Sequence, residues 1–131
     1  MYQEEGSTIL WRDRCLRHPN IMFGTALKNA RKRANKRSIP FDISREYIIK
    51  LFEKQLGRCY YSGMDMNVVK KDPNTTIDPF KMTLDCLEPD KGYVEGNVVW
   101  CAYCINSMKQ RMTKSELINI CKAVVNFSNT L

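Results

Sequence analysis

Residues 83–109 read TLDCLEPDKGYVEGNVVWCAYCINSMK, and the parsing of this stretch decides the fold. Met82 to Leu87 alternates as a strand does, and Val98 to Cys101 forms a second apolar run. Between them, Pro89 to Gly96 carries turn residues, including Lys91-Gly92-Tyr93, and reads as a loop. A helix follows to about Arg111. Strand, loop, strand and helix in so short a span form a hairpin packed on a helix. Asp85 falls on the first strand and Asn106 on the helix, so the unit can bring both side chains to one point. Asn97, just before the second strand, is placed to brace the loop or to orient a base.

Outward from this core the chain reads as flanking helices, one of them basic. From about Gly24 to Lys36, Phe23, Ala26, Leu27, Ala30 and Ala34 recur at helical intervals with cations between them. Ser38-Ile39-Pro40 ends that helix, because the residue before proline is pushed out of helical conformation. Ser44 is a candidate N-cap for a second helix, Arg45 to Leu56, closed by Gly57, with Tyr47, Ile48, Leu51, Phe52 and Leu56 on its apolar face. Arg58 to Met66 reads as a short strand with a turn at Ser62-Gly63, and residues 67–80 as a polar loop. Thr113 and Glu116 make a capping box for a last helix, whose apolar positions are Leu117, Ile120, Cys121, Val124 and Val125. The fold class is α+β. The division is an N-terminal arm over residues 1–21, anchored by Ile9, Leu10 and Trp11, and one domain over 22–131.

Composition narrows the partners. The net charge is +7, and Lys28, Arg31, Lys32, Arg33, Lys36 and Arg37 supply six of those charges with no acid among them, leaving +1 for everything else. So local a cluster points to a polyanion, above all nucleic acid. Six phosphate contacts imply a log–log salt slope of roughly −5. No run of 18 apolar residues suggests a membrane span, and the N-terminus lacks the basic and apolar blocks of a secretory signal. The expectation is an intracellular protein (cytoplasmic, nucleoid or virion-associated) that is not secreted. Its six cysteines are then expected as free thiols or metal ligands rather than disulfides.

A carboxylate and an amide oxygen are hard ligands suited to one divalent cation, Mg²⁺ or Mn²⁺. Phosphodiester cleavage needs such an ion at the scissile phosphate, and a base to activate water. At this point the stretch resembles the HNH endonucleases of the ββα-metal class, particularly small phage and homing-type members. The matching blocks are Cys59 to Gly63, Leu84-Asp85-Cys86, Lys91-Gly92-Tyr93, Asn97-Val98-Val99-Trp100 and Asn106-Ser107-Met108-Lys109, with the basic helix and Ile39-Pro40-Phe41-Asp42 upstream. The resemblance spans about residues 22–118. It implies a ββα-metal hairpin-helix core acting on double-stranded DNA, with Asp85 and Asn106 as metal ligands and Asn97 as the central asparagine. It also implies Lys109 facing phosphate or supporting the site, and Cys86 in the place of the general-base histidine.

That last substitution divides two readings. A histidine titrates near 6.5 and a free thiol near about 8.5, which the Asp85 carboxylate pushes higher. The only histidine is His18, far off in sequence, so substitute bases are Tyr93, Glu88, Asp90 or water alone. One reading is a metal-dependent endonuclease with a substitute base. The other is the same fold without catalysis, serving as a nucleic-acid-binding or structural component. Either is compatible with a homodimer or a larger assembly. Structural zinc is not expected. Cys101 and Cys104 are one residue out of register with the zinc-bearing members, Cys59 has Ser62 where its partner cysteine would be, and such a shift on a strand turns a side chain to the opposite face.

Overall fold

The computed structural model describes residues 22–68 and 78–131. The proposed arm with its Trp11 anchor, His18, and most of the polar loop lie outside the described residues. The elements in chain order are helix α1 (Phe23–Arg37), strand β1 (Phe41–Asp42), helix α2 (Arg45–Lys54), strand β2 (Met82–Cys86), a 3-10 turn (Pro89–Lys91), strand β3 (Tyr93–Val94), strand β4 (Val98–Ala102), helix α3 (Tyr103–Lys109) and helix α4 (Lys114–Ser128). The class is mixed α+β, with four helices and two small sheets among the described residues.

The centre is the antiparallel pair β2–β4, in register from Met82 opposite Ala102 to Cys86 opposite Val98. Every residue of both strands is buried. A two-stranded ribbon has two open edges, and each leaves backbone groups that need partners. Here side chains supply them. On the β4 edge, Gln55 Nε2 donates to the Trp100 carbonyl at 3.0 Å, and Gln55 Oε1 accepts from the Trp100 amide at 2.9 Å. On the β2 edge, the Leu84 carbonyl accepts from Asn106 Nδ2 at 3.2 Å and from Arg33 Nη2 at 2.9 Å, and the Cys86 carbonyl accepts from Lys109 Nζ at 3.1 Å. Two strand residues advance about 6.6 Å and three helix residues about 4.5 Å. The Asn-x-x-Lys spacing of α3 therefore falls about 2 Å short of the Leu84–Cys86 step, a difference that the long Lys109 side chain takes up.

Trp100 anchors the core. It is fully buried, its indole N–H donates to the Ile48 carbonyl at 2.8 Å, and its ring meets Phe23 and Phe52 edge-on at 5.8 and 5.5 Å. These contacts hold α1 and α2 against the hairpin, and edge-to-face pairs add roughly 0.5–1.5 kcal/mol each beyond the area they bury. Ser44 caps α2 by accepting from the Tyr47 amide at 3.1 Å. β1 and β3 pair in parallel over two residues. There Gly92 has φ +76°, and a Cβ on it would lie 2.4 Å from the Pro40 carbonyl oxygen. No other residue fits that crossing.

Several sequence expectations shift. Arg58 to Met66 is a tight turn closed by an isolated Arg58–Asp65 bridge rather than a strand. Helix α2 stops at Lys54 because Leu56 and Gly57 both take positive φ, and on its apolar face only Ile48 and Phe52 are fully buried. The last helix begins at its capping box as expected, with the Glu116 amide donating to Thr113 Oγ1 at 3.2 Å. Of its apolar positions, however, only Leu117 is buried.

Candidate active cleft

Strand periodicity puts Thr83 and Asp85 on one face of β2, and α3 lays Asn106 across that face. Thr83 Oγ1 donates to the Cys101 carbonyl at 2.6 Å and accepts from Asn106 Nδ2 at 3.0 Å. With both its donors directed at Thr83 and Leu84, Asn106 presents its Oδ1 the other way. Asp85 is held as firmly: its Oδ2 accepts from the Tyr61 hydroxyl at 2.6 Å and pairs with Lys109 Nζ at 3.2 Å. Asp85 Oδ1 and Asn106 Oδ1 accept no hydrogen bond among the described residues. Asp85 and Asn106 line one cleft of about 320 Å³.

The rest of the wall is cationic. Arg33 and Arg37 of α1 enter the same cleft. Arg33 Nε donates to the Tyr93 hydroxyl at 3.0 Å, fixing its guanidinium beside β2. The basic helix thus carries two sets of charge. Lys28, Arg31, Lys32, Lys36 and Arg37 are exposed, whereas Arg33 is half-buried and turned inward. Arg31 lies over the Phe41 ring at 5.1 Å.

The geometry sorts three of the expected site residues. Lys109, expected to face phosphate or to support the site, is fully buried and does the second, its ammonium spent on Asp85 and the Cys86 carbonyl. A buried cation with these partners is a structural counter-ion for Asp85, not a surface contact. Asn97, expected to brace the loop or to orient a base and set among the catalytic residues, lies outside the cleft lining. Its Oδ1 accepts from the Glu88 amide at 3.0 Å, and its Nδ2 donates to the Glu88 and Gly92 carbonyls at 3.0 and 2.7 Å. It braces the hairpin loop with both of its amide hydrogens and its carbonyl oxygen. Cys86 does line the cleft, but burial first and the Asp85 charge second push its thiol up to about 12. A group that keeps its proton at neutral pH does not serve as the base that a histidine would provide.

The substitute bases fare no better. Burial, above all, pushes the Tyr93 hydroxyl up against the opposing pull of Arg33. Glu88 is exposed and paired with Lys91 at 2.7 Å, and neither it nor the exposed Asp90 lines the cleft. Tyr61, Thr83, Arg33 and Arg37 are the parts of this site that the sequence reading did not assign to it.

The cysteines divide by environment. All the described ones are free thiols. Cys59 is held down to about 5, chiefly by the hydrogen bond from Cys101, whose own thiol is pushed up by that contact and by burial. No group of three or more His, Cys, Asp or Glu side chains placed to hold a metal ion occurs among the described residues. An ion in the cleft would therefore rest on Asp85 and on neutral oxygens. No described helix is long and apolar enough to cross a membrane. Comparison with protein-family models, with curated proteins and with solved structures finds no match to this chain.

Proposed function

We propose that this chain is a DNA-binding, metal-dependent endonuclease of the HNH type, with β2, β4 and α3 as its ββα-metal core. The observation that carries the reading is that Asp85 and Asn106, each held in place through Oδ2 or Nδ2, line one cleft together with Arg33 and Arg37. The donor set fits a hard divalent cation that keeps several waters and shares the substrate's phosphate. When bound, such an ion supplies Lewis-acid stabilisation of the charge on the phosphate and the leaving oxygen.

The chain's own residues have defined parts in this scheme. Tyr61 and Lys109 hold the Asp85 carboxylate in one orientation, and Thr83 does the same for the Asn106 amide. Such pre-organisation matters because the reacting geometry tolerates errors of only about half an ångström. Arg33 and Arg37 sit where a phosphate would meet planar donors, a geometry that guanidinium groups match well. The exposed Lys28, Lys32 and Lys36 add contacts along the backbone, and these give the complex its salt dependence.

Incubation of supercoiled plasmid with the protein and Mg²⁺ or Mn²⁺, beside Asp85→Ala and Asn106→Ala, tests the proposal. The parent nicks the plasmid and both variants lose at least about a hundredfold, the scale expected when a ligand to transition-state charge is removed. Equal, weak nicking by all three defeats it.

One observation favours a second reading. Apart from Asp85 the described cleft holds neither histidine nor carboxylate, and Cys86 and Tyr93 keep their protons. On that reading the fold is retained as a nucleic-acid-binding or structural part of a larger assembly. Cys86→His separates the two. A large gain in cleavage marks a site that lost its base and kept the rest.

A further inference from the structure

Helix α4 carries an apolar face that nothing in the described chain covers. Ile120, Val124 and Phe127 are 45, 60 and 66% exposed, and Leu131, three residues past the end of the helix, is 92% exposed. With Leu117 they follow one another at intervals of three, four, three and four residues, the spacing of a seam between paired helices. Leu117 ties the start of α4 to the body of the protein. Beside it, Tyr61, Ile105, Met108, Ile118, Cys121 and Val125 line an apolar groove of about 380 Å³ between α4 and the core.

We propose that this seam is a self-association surface, on which α4 of one copy packs against α4 of a second copy. Three observations favour a second copy as the occupant. First, the 3-4 spacing is self-complementary, so a two-fold axis can lay the same residues against one another. Second, Ile118, Ile120, Val124, Val125, Phe127 and Leu131 are 39, 45, 60, 57, 66 and 92% exposed, an apolar area of the same order as the roughly 800 Å² that each partner gives to a standard stable interface. Third, the charge that would oppose pairing of a +7 protein lies elsewhere. Residues 123–131, AVVNFSNTL, carry no charge, whereas six cations sit on α1. Helix pairing needs this neutrality along the seam, and contiguous apolar patches of this size on a monomer mark interaction sites.

Sedimentation velocity of the full chain from about 1 to 100 μM, the range of moderate homodimer affinities, reads the proposal directly. The expected result is a concentration-dependent shift from monomer to dimer. Phe127→Glu raises the dissociation constant at least about tenfold, as loss of an interface anchor does, while Asn119→Asp on the opposite face leaves it unchanged. Phe127→Ser is the milder companion, and far-UV circular dichroism reports the fold of all three. A chain that stays monomeric throughout the range overturns the proposal, whether the seam is covered by residues 1–21 or by another protein. A dimer indifferent to both Phe127 substitutions overturns it equally, because its interface lies elsewhere.

Discussion

Helices α3 and α4 follow one another in sequence and differ in almost everything else. Helix α3 has seven residues, no side-chain cap and no acidic residue in its first turn. It exists because Asn106 and Lys109 satisfy the β2 edge and the site behind it. Helix α4 has fifteen residues, a capping box and a continuous apolar face, yet Leu117 is its only buried residue. Local signals thus specify α4 and tertiary contacts specify α3. Isolated helices shorter than about 12–15 residues are marginal in water, so α3 depends on its packing. The element that the sequence announces most clearly is the one least attached to the fold, and the weakest announces the site.

The largest expected effect tests that contrast. Lys109→Met strands the Asp85 carboxylate among buried groups and costs about 3–5 kcal/mol, the range for breaking a buried ion pair by removing one partner. Urea denaturation measures it. A loss below about 1 kcal/mol would mean that Lys109 is dispensable and that α3 is held by its apolar residues alone.

Next in size is Asn97→Ala. It removes one bond to the Glu88 amide and two to carbonyls, one of them the buried contact to Gly92. The expected cost is roughly 2–3 kcal/mol, allowing for water reaching the Glu88 groups. Cleavage should fall only as far as the loop is loosened. A protein of unchanged stability with abolished cleavage would return Asn97 to the chemistry.

Alkaline pH gives a smaller effect with a definite sign. The Cys86 thiol is raised from 9.0 to about 12 by burial and by Asp85, and burial also raises the Tyr61 and Tyr93 hydroxyls above 10.0. The unfolded chain therefore releases these protons first. Their contribution to stability is whole below pH 9 and falls as pH rises from there toward 12. Cys59, held near 5, works in the opposite direction, but between pH 5 and 9. Melting temperatures measured across pH 8–11 should decline, and more gently in Cys86→Ala. The smallest effect belongs to α4. Val124→Ser, measured by urea denaturation at submicromolar protein, where pairing contributes little, should change stability by no more than about 0.5 kcal/mol.

What the sequence disclosed follows the same division. The two strands and the helix of the hairpin unit, with Asp85 on the first strand and Asn106 on the helix, were legible because strand period and motif spacing agree. Arg33 was not separated from its neighbours in KNARKRANKR, although a signal was present. Ala26, Ala30, Arg33 and Arg37 stand at intervals of four, three and four residues, so both arginines continue the stripe whose alanines are buried. Tyr61 was hidden more deeply. It sits in a turn without periodicity, and its hydrogen bond to Asp85 spans 24 residues. The burial of Lys109 was hidden too, because a lysine at the end of a short helix ordinarily reaches solvent.

Binding of Mn²⁺ tests the central claim, a metal site built from Asp85 and Asn106, most directly. Electron paramagnetic resonance can count bound ions in the presence of a short DNA duplex at low salt. One Mn²⁺ per chain is expected, lost in both Asp85→Ala and Asn106→Ala and retained in Phe127→Glu. Binding that survives both substitutions, or no binding with duplex bound, would contradict the account.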